Sequence, residues 1–457
     1  MRTIEDHAQA LAEGRTTSRA IVEACLARIA DPAGEGTRAF VKVHAGAARA
    51  MADAMDALRG AGRAPSRYAG IPVSLKDLLD VAGEPTPAGS RVLEDAPPAA
   101  AHATVVARLL AAGFIPIGRT NMVEFAFSGL GLNPHHGTPR APWERGAADA
   151  PRDGRIPGGS SSGAAVSVAD GMAIGALGTD TGGSCRVPAA FCGVTGYKPT
   201  ARTVPIAGVL PLSPSLDSVG PLAPSVGCCA VLHAVLAGET PVAPAPAELA
   251  GLRLAVPANV MEGEIDPEVA AEFARALSAL SAGGARIVHA RFPEFDAIPA
   301  ANAKGGFTAA EAYAWHRALL AAKADGYDPR ILARIRRGER MSAADYLDVA
   351  AARTRLIASF DARTAGFDAV VLPTVPILPA RIDALDDVHD YNRVNMQCLR
   401  HTVPGNFLDR CAISLPCHRA GEPPVGFMLM GETGGDARLF AVAAAVEAVL
   451  RGGLDAR

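Results

Sequence analysis

Short apolar runs closed off by glycine or proline recur along the whole chain. They read "GIPVSL" (70–75), "FIPIG" (114–118), "AIGALG" (173–178), "LRLAVP" (252–257), "ARIVHA" (285–290), "DAVVLPT" (368–374), "CAISLPC" (411–417) and "VGFMLMG" (425–431). Runs this short, predominantly apolar and bounded by breakers, predict buried strands. Between them lie stretches with apolar residues at helical spacing, among them "TTSRAIVEACLARIA" (16–30), "GAARAMADAMDALRGAG" (46–62) and "TVVARLLAAG" (104–113). Strands without a polar face need cover on both faces, and helices are what this chain offers. The pattern predicts an α/β fold with its sheet enclosed by helices.

Bulk composition narrows the function classes. The chain has 457 residues, 49% of them hydrophobic and 20% charged, with a net charge of -3. That supplies a large core and no basic surface, so neither a nucleic-acid nor a membrane partner is expected. No segment approaches the ~18 apolar residues of a membrane span, and the N-terminus lacks the apolar centre of a signal peptide. Eight cysteines (25, 185, 192, 228, 229, 398, 411, 417) form no CxxC pair. They read as small buried thiols in a reducing compartment, and a cytoplasmic location is expected. No metal-ligand spacing is present, and no metal or cofactor is expected. "TPVAPAPAELAG" (240–251) is the best linker candidate; it reads as a surface connection inside a single domain spanning 1–457. "RAPWERGAADAPRDGR" (140–155) reads as an exposed excursion.

Familiar nucleophile and nucleotide motifs are missing: no convincing G-x-S-x-G near a histidine, no H-E-x-x-H and no P-loop. Two glycine-rich stretches remain, "PGGSSSGAAVSVADG" (157–171) and "LGTDTGGSCRVPAAFCGVTGYKPT" (177–200). Consecutive glycines let successive backbone N–H groups converge on one point, as the oxyanion of an acyl-transfer intermediate requires. Ser184 ends the second stretch's glycine pair, placing a hydroxyl beside those donors. Its base would have to be something other than histidine. Lys76 closes the apolar run "GIPVSLK", where burial would lower its pKa and free an amine to accept a proton. Taken alone, the same lysine reads rather as a snorkelling side chain or an ion-pair partner of Asp77 or Asp80.

Together these segments resemble the amidase signature family of Ser-Ser-Lys hydrolases. The likeness also takes in "GRTNMVEFAFSG" (118–129), "DAVVLPTVPI" (368–377) and "PVGFMLMG" (424–431), and so covers most of the chain. It implies a mixed β-sheet core covered by helices on both faces. It also implies hydrolysis of a small linear amide to an acid plus ammonia or amine through a serine acyl-enzyme. Residue by residue, the resemblance makes Ser184 the nucleophile and Lys76 the base. Ser160 becomes the proton relay, following a cis peptide bond from Gly159. The backbone N–H groups of Thr181, Gly182, Gly183 and Ser184 become the oxyanion hole. Ser161 supports the network, Met122 lies near the scissile amide, and Asp180 and Arg186 brace the loop. Ser162 starts the following helix. A homodimer is a family-level expectation.

The chain departs from the family in places. Cys185 follows the nucleophile where an apolar branched residue is usual. Asp409, Arg410 and Cys411 stand where Gly-Leu-Pro is common, and Met428 replaces a frequent glutamine. Asp409 and Arg410 read either as recognition of a charged substrate or as a mutual ion pair. Tyr313, Trp315 and His316, within "EAYAWHRALLAAKADGYDPRILARI" (311–335), read as pocket contacts or as core. The family also contains the glutaminase component of a tRNA-dependent amidotransferase, which is the alternative function; the changes at 409–411 and 428 weigh against it.

Overall fold

The computed structural model describes residues 1–147 and 153–455, with side chains described as far as 452. Residues 148–152, the middle of the 140–155 excursion, lie outside this range.

Eleven strands form one sheet. In chain order they are β1 (Phe40–Val43), β2 (Pro72–Lys76), β3 (Ile115–Thr120), β4 (Gly175–Thr179), β5 (Thr195–Lys198), β6 (Val219–Ala223), β7 (Arg253–Pro257), β8 (Arg286–Ala290), β9 (Ala369–Pro373), β10 (Ala412–Pro416) and β11 (Gly426–Met430). Their order across the sheet is β1-β3-β2-β4-β6-β5-β10-β11-β9-β7-β8. The sheet is mixed: β2 runs parallel to β3 and β4, and β7 to β8 and β9, while the other neighbours are antiparallel. All eight apolar runs are strands. The pattern did not disclose β1 ("FVKV"), β5 ("TGYK") or β6 ("VGPLA"), whose glycines, lysines and proline break up an apolar run.

Both faces of the sheet are covered, as continuous apolar strands require. Every residue of β2, β3, β4, β5, β6, β9 and β11 is buried. Alternate side chains go to separate cores. Phe427 and Leu429 of β11 and Val371 of β9 join the largest cluster. Met428 and Met430, with Val370 and Leu372, join a second cluster on the other face.

Helix starts follow local chemistry. The Thr17 hydroxyl accepts the Ala20 N–H at 3.1 Å and opens Ser18–Ala30, satisfying a donor the helix leaves free. The 311–335 stretch is two helices, Gly306–Lys323 and Pro329–Arg336, because Pro329 starts afresh behind the cap Asp328.

Candidate active site

Neighbouring parallel strands bring the expected residues together. Lys76 ends β2 and Thr179 ends β4, which lies beside it. Burial of Lys76 is complete. Its Nζ donates to Ser160 Oγ at 2.8 Å and to Thr179 Oγ1 at 2.7 Å. Neither aspartate foreseen as its partner takes that part. Asp77 is held by Arg119 Nε at 2.7 Å, and Asp80 accepts the Thr86 hydroxyl at 2.6 Å. Desolvation lowers the Lys76 pKa to about 8, opposed at longer range by the carboxylates of Asp180 and Asp217. A substantial fraction of the amine is therefore neutral near pH 8.

Ser160 follows the Gly159–Ser160 cis peptide bond and is fully buried. Its carbonyl accepts the Val123 N–H at 3.1 Å, which ties the serine run to the segment that carries Met122. The Met122 side chain itself is buried and lies beside Gly89. The Ser161 N–H donates to the Ser184 carbonyl at 3.4 Å and its hydroxyl to the Thr179 carbonyl at 3.3 Å, so the two glycine-rich stretches meet here. Ser162 is the first residue of the helix Ser162–Ala169. Among the described residues no hydrogen bond joins Ser160 Oγ to the Ser184 hydroxyl; the link between the two stretches is the bond from the Ser161 N–H to the Ser184 carbonyl.

The turn from β4 to the helix Arg186–Cys192 carries Ser184. Gly183 has φ +140°, where a Cβ would stand 2.2 Å from Thr402 Oγ1; only glycine fits there. The Thr402 hydroxyl donates to the Gly182 carbonyl at 2.6 Å and faces that carbonyl away from the N–H side of the turn. Among the described residues, no acceptor takes the N–H groups of Thr181, Gly182, Gly183 or Ser184. Four consecutive donors are left for an oxygen next to the Ser184 side chain.

Asp180 and Arg186 brace this turn from beneath, both fully buried. Arg186 donates to Asp180 from Nε at 3.0 Å and Nη2 at 2.9 Å, and from Nη2 to Asn406 Oδ1 at 2.7 Å. The Asn406 amide returns to Asp180 Oδ1 at 2.9 Å, and Asp180 also accepts the Cys185 N–H at 3.1 Å. Burial alone would raise Asp180, but Arg186, helped by Lys198 and Asn406, holds its carboxyl at about 2. Met428 meets the same arginine, its Sδ 3.3 Å from Arg186 Nη1. Cys185 points away from the turn, its thiol toward the Gly220 carbonyl at 3.6 Å, and burial pushes its pKa far up. A thiol held neutral in this way is no nucleophile.

Sequence reasoning missed Thr179, Asp217, Thr402 and Asn406. Thr179 carries a readable signal, since it ends a strand beside the one ending in Lys76. Asp217 and Thr402 lie far along the chain and are brought in only by folding. The mutual ion pair read for Asp409 and Arg410 is not formed. Asp409 pairs with Arg202, whereas Arg410 donates to Asp361 at 3.0 Å and packs over the Phe360 ring at 4.7 Å. His316 is core: it is fully buried, bonded to the Tyr327 hydroxyl at 2.9 Å and edge-on to Phe125 at 4.4 Å. No helix among the described residues is long and apolar enough to cross a membrane.

Comparison with known proteins gives the family. The family model described as Amidase matches residues 20–440. The chain is 37% identical to 2-amino-5-chloromuconic acid deaminase of Comamonas testosteroni, covering 98% of this chain and 96% of that protein. It is 33% identical to a glutamyl-tRNA(Gln) amidotransferase component of Thermobifida fusca, covering 97% of this chain and 94% of that protein. A crystal structure of an amidase superposes with a TM-score of 0.87 at 31% identity, covering 98% of this chain and 99% of that one. Fold and relatives together define an amide-hydrolysing enzyme. The chain belongs to the amidase family.

Proposed function

We propose that the chain hydrolyses a small linear carboxylic amide through a Ser184 acyl-enzyme, with Lys76 as the base and Ser160 as the relay. The observation that carries this is the buried Lys76 amine, without a carboxylate partner and 2.8 Å from Ser160 Oγ. Neutral Lys76 takes the Ser160 proton as Ser160 takes that of Ser184. The Ser184 oxygen attacks the amide carbonyl, and negative charge develops on the carbonyl oxygen. The N–H groups of Thr181, Gly182, Gly183 and Ser184 stabilise that charge. Collapse breaks the C–N bond, and the proton returns along Lys76 and Ser160 to the leaving nitrogen. Water, deprotonated along the same route, then releases the acid and restores Ser184. Ser161 supports the network, and Met122 lies near the scissile amide. No residue here needs a metal for these steps. We further propose that residues 1–457 form a single domain.

Labelling with a fluorophosphonate followed by peptide mapping tests the assignment. The label is expected on Ser184; a label on Cys185, or none, overturns it. The amidotransferase likeness supports a second reading, a glutaminase component that works in a complex. Assay of the purified chain against a panel separates the two. Small aliphatic, aryl and ureido amides, glutamine, and an unsaturated amino-dicarboxylate of the kind named for the Comamonas protein make up the panel. Turnover by the chain alone of anything but glutamine favours the first reading.

A further inference from the structure

The loop before β6 is held by two carboxylates, Glu311 of the helical cover and its own Asp217, at the two ends of a hydrogen-bond chain that runs from that cover to the nucleophile turn. At the outer end is Glu311, on the helix Gly306–Lys323. It accepts the Ser213 hydroxyl at 2.6 Å, the Ser215 N–H at 3.1 Å and the Ser215 hydroxyl. The Tyr346 hydroxyl, from the helix Ala343–Thr364, donates to it at 2.7 Å. The loop so held wraps the second carboxylate. Asp217 Oδ2 accepts the N–H groups of Leu212 and Ser213, each at 3.0 Å. Its other oxygen accepts the Thr181 hydroxyl at 2.5 Å. Next to it, Ser218 and Asp180 exchange backbone hydrogen bonds at 2.8 and 3.2 Å, so loop and turn are in register. Arg353 adds a parallel strut, donating to the Ser215 carbonyl at 3.1 Å and the Phe407 carbonyl at 2.9 Å.

This geometry serves the turn more than the bulk fold. The four N–H groups from Thr181 to Ser184 have no acceptor among the described residues, so their direction is set by the groups that hold the rest of the turn: the Val187 N–H on the Gly183 carbonyl at 2.7 Å, Thr402 on the Gly182 carbonyl, and Asp217 on the Thr181 hydroxyl. Thr181 is the first of them, and its side chain is gripped by a buried carboxylate whose remaining bonds come from a loop held by Glu311. Oxyanion stabilisation depends steeply on donor direction, and a misplacement of an ångström is enough to forfeit it. We propose that Glu311 and Asp217 are positioning residues that aim the Thr181–Ser184 donors, and that the helices above the sheet thereby set the acylation rate.

The inference rests on the Ser184 reading, and the test separates the two. The rate of phosphonylation by a fluorophosphonate reports the donors directly, because the P=O oxygen takes the carbonyl's place. Failure of wild-type protein to label at Ser184 defeats the triad reading itself. With wild-type labelling established, Asp217→Asn is expected to slow the maximal labelling rate roughly a hundredfold and Glu311→Gln roughly tenfold. Probe affinity and Tm should stay close to wild type, which a purely structural defect would not allow. Thr181→Val keeps the shape and backbone N–H but frees the side chain. In the double variant with Glu311→Gln, the rate should be no lower than in Thr181→Val alone, within about twofold, since both cut one chain. Wild-type labelling by Glu311→Gln, or effects that multiply in the double variant, overturn the proposal. Should Glu311→Gln fail to fold, Ser215→Ala takes its place: several-fold slower labelling supports the chain, and an unchanged rate refutes it.

Discussion

Lys76 shows what one side chain in the wrong solvent can do. An ordinary lysine is protonated at neutral pH, but burial without a carboxylate brings this one to about 8. Since only the neutral amine accepts a proton, kcat/KM should drop tenfold per pH unit below about 8 and level off above. A flat profile from pH 6 to 9 would remove Lys76 from the base role. Lys76→Met should lower turnover by about 10²–10⁴. The same burial has a stability consequence of definite sign. The folded pKa lies below the unfolded value near 10.5, so the unfolded chain holds the extra proton between the two. Stability therefore rises as pH climbs from about 8 to 10.5, and below 8 the full penalty applies. Lys76→Met should accordingly raise Tm at pH 7 and raise it less at pH 10, by differential scanning calorimetry. The lysine was legible because it interrupts an apolar strand. That Ser160 and Thr179 receive it was not, because both hydroxyls come from other segments.

At the scale of elements, the turn after β4 is held by pieces from elsewhere as well as its own. Asp180 and Arg186 sit within it, Asn406 comes from the helix Val403–Phe407, and Thr402 precedes that helix. Breaking the buried ion pair leaves a charge without its partner. Asp180→Ala should destabilise by about 3–5 kcal/mol in urea unfolding, well beyond a typical surface change. Gly183→Ala is expected to fold with a damaged turn, its Cβ facing Thr402 Oγ1 at 2.2 Å. It should lose at least about tenfold in acylation, and rescue by Thr402→Ser is not expected, because the hydroxyl remains. The eight predominantly apolar strands announced themselves. Strands β5 and β6 did not, for they are built around Gly196 and Gly220, whose would-be Cβ atoms lie 2.4 Å from the Cys185 carbonyl oxygen and 2.0 Å from that of Tyr197. Close backbone packing selects glycine there against strand propensity.

For the whole molecule, the 240–251 stretch connects the two sides of one sheet, from the helix after β6 on one side to β7 on the other. The Ala247 N–H donates to the Ala441 carbonyl at 2.9 Å and pins this connection to the C-terminal helix. With β5 and β10 joining the two sides in register, neither is expected to come apart alone. Urea unfolding followed by tryptophan fluorescence and by far-UV circular dichroism should give coincident transitions. Two separated transitions would instead mark 240–251 as a domain boundary. Apolar periodicity and glycine punctuation by themselves determined the α/β class and most strands, and singled out Lys76 and Ser184 as candidates, because those signals are local; Ser160 was added by the family resemblance. Only the tertiary structure decided which groups surround them: Thr179 on Lys76, Asp217 on Thr181, Thr402 on the glycine turn, and Arg202 on Asp409. Their sequence separations carry no periodicity, and the contacts exist only once distant segments converge at the ends of the central strands.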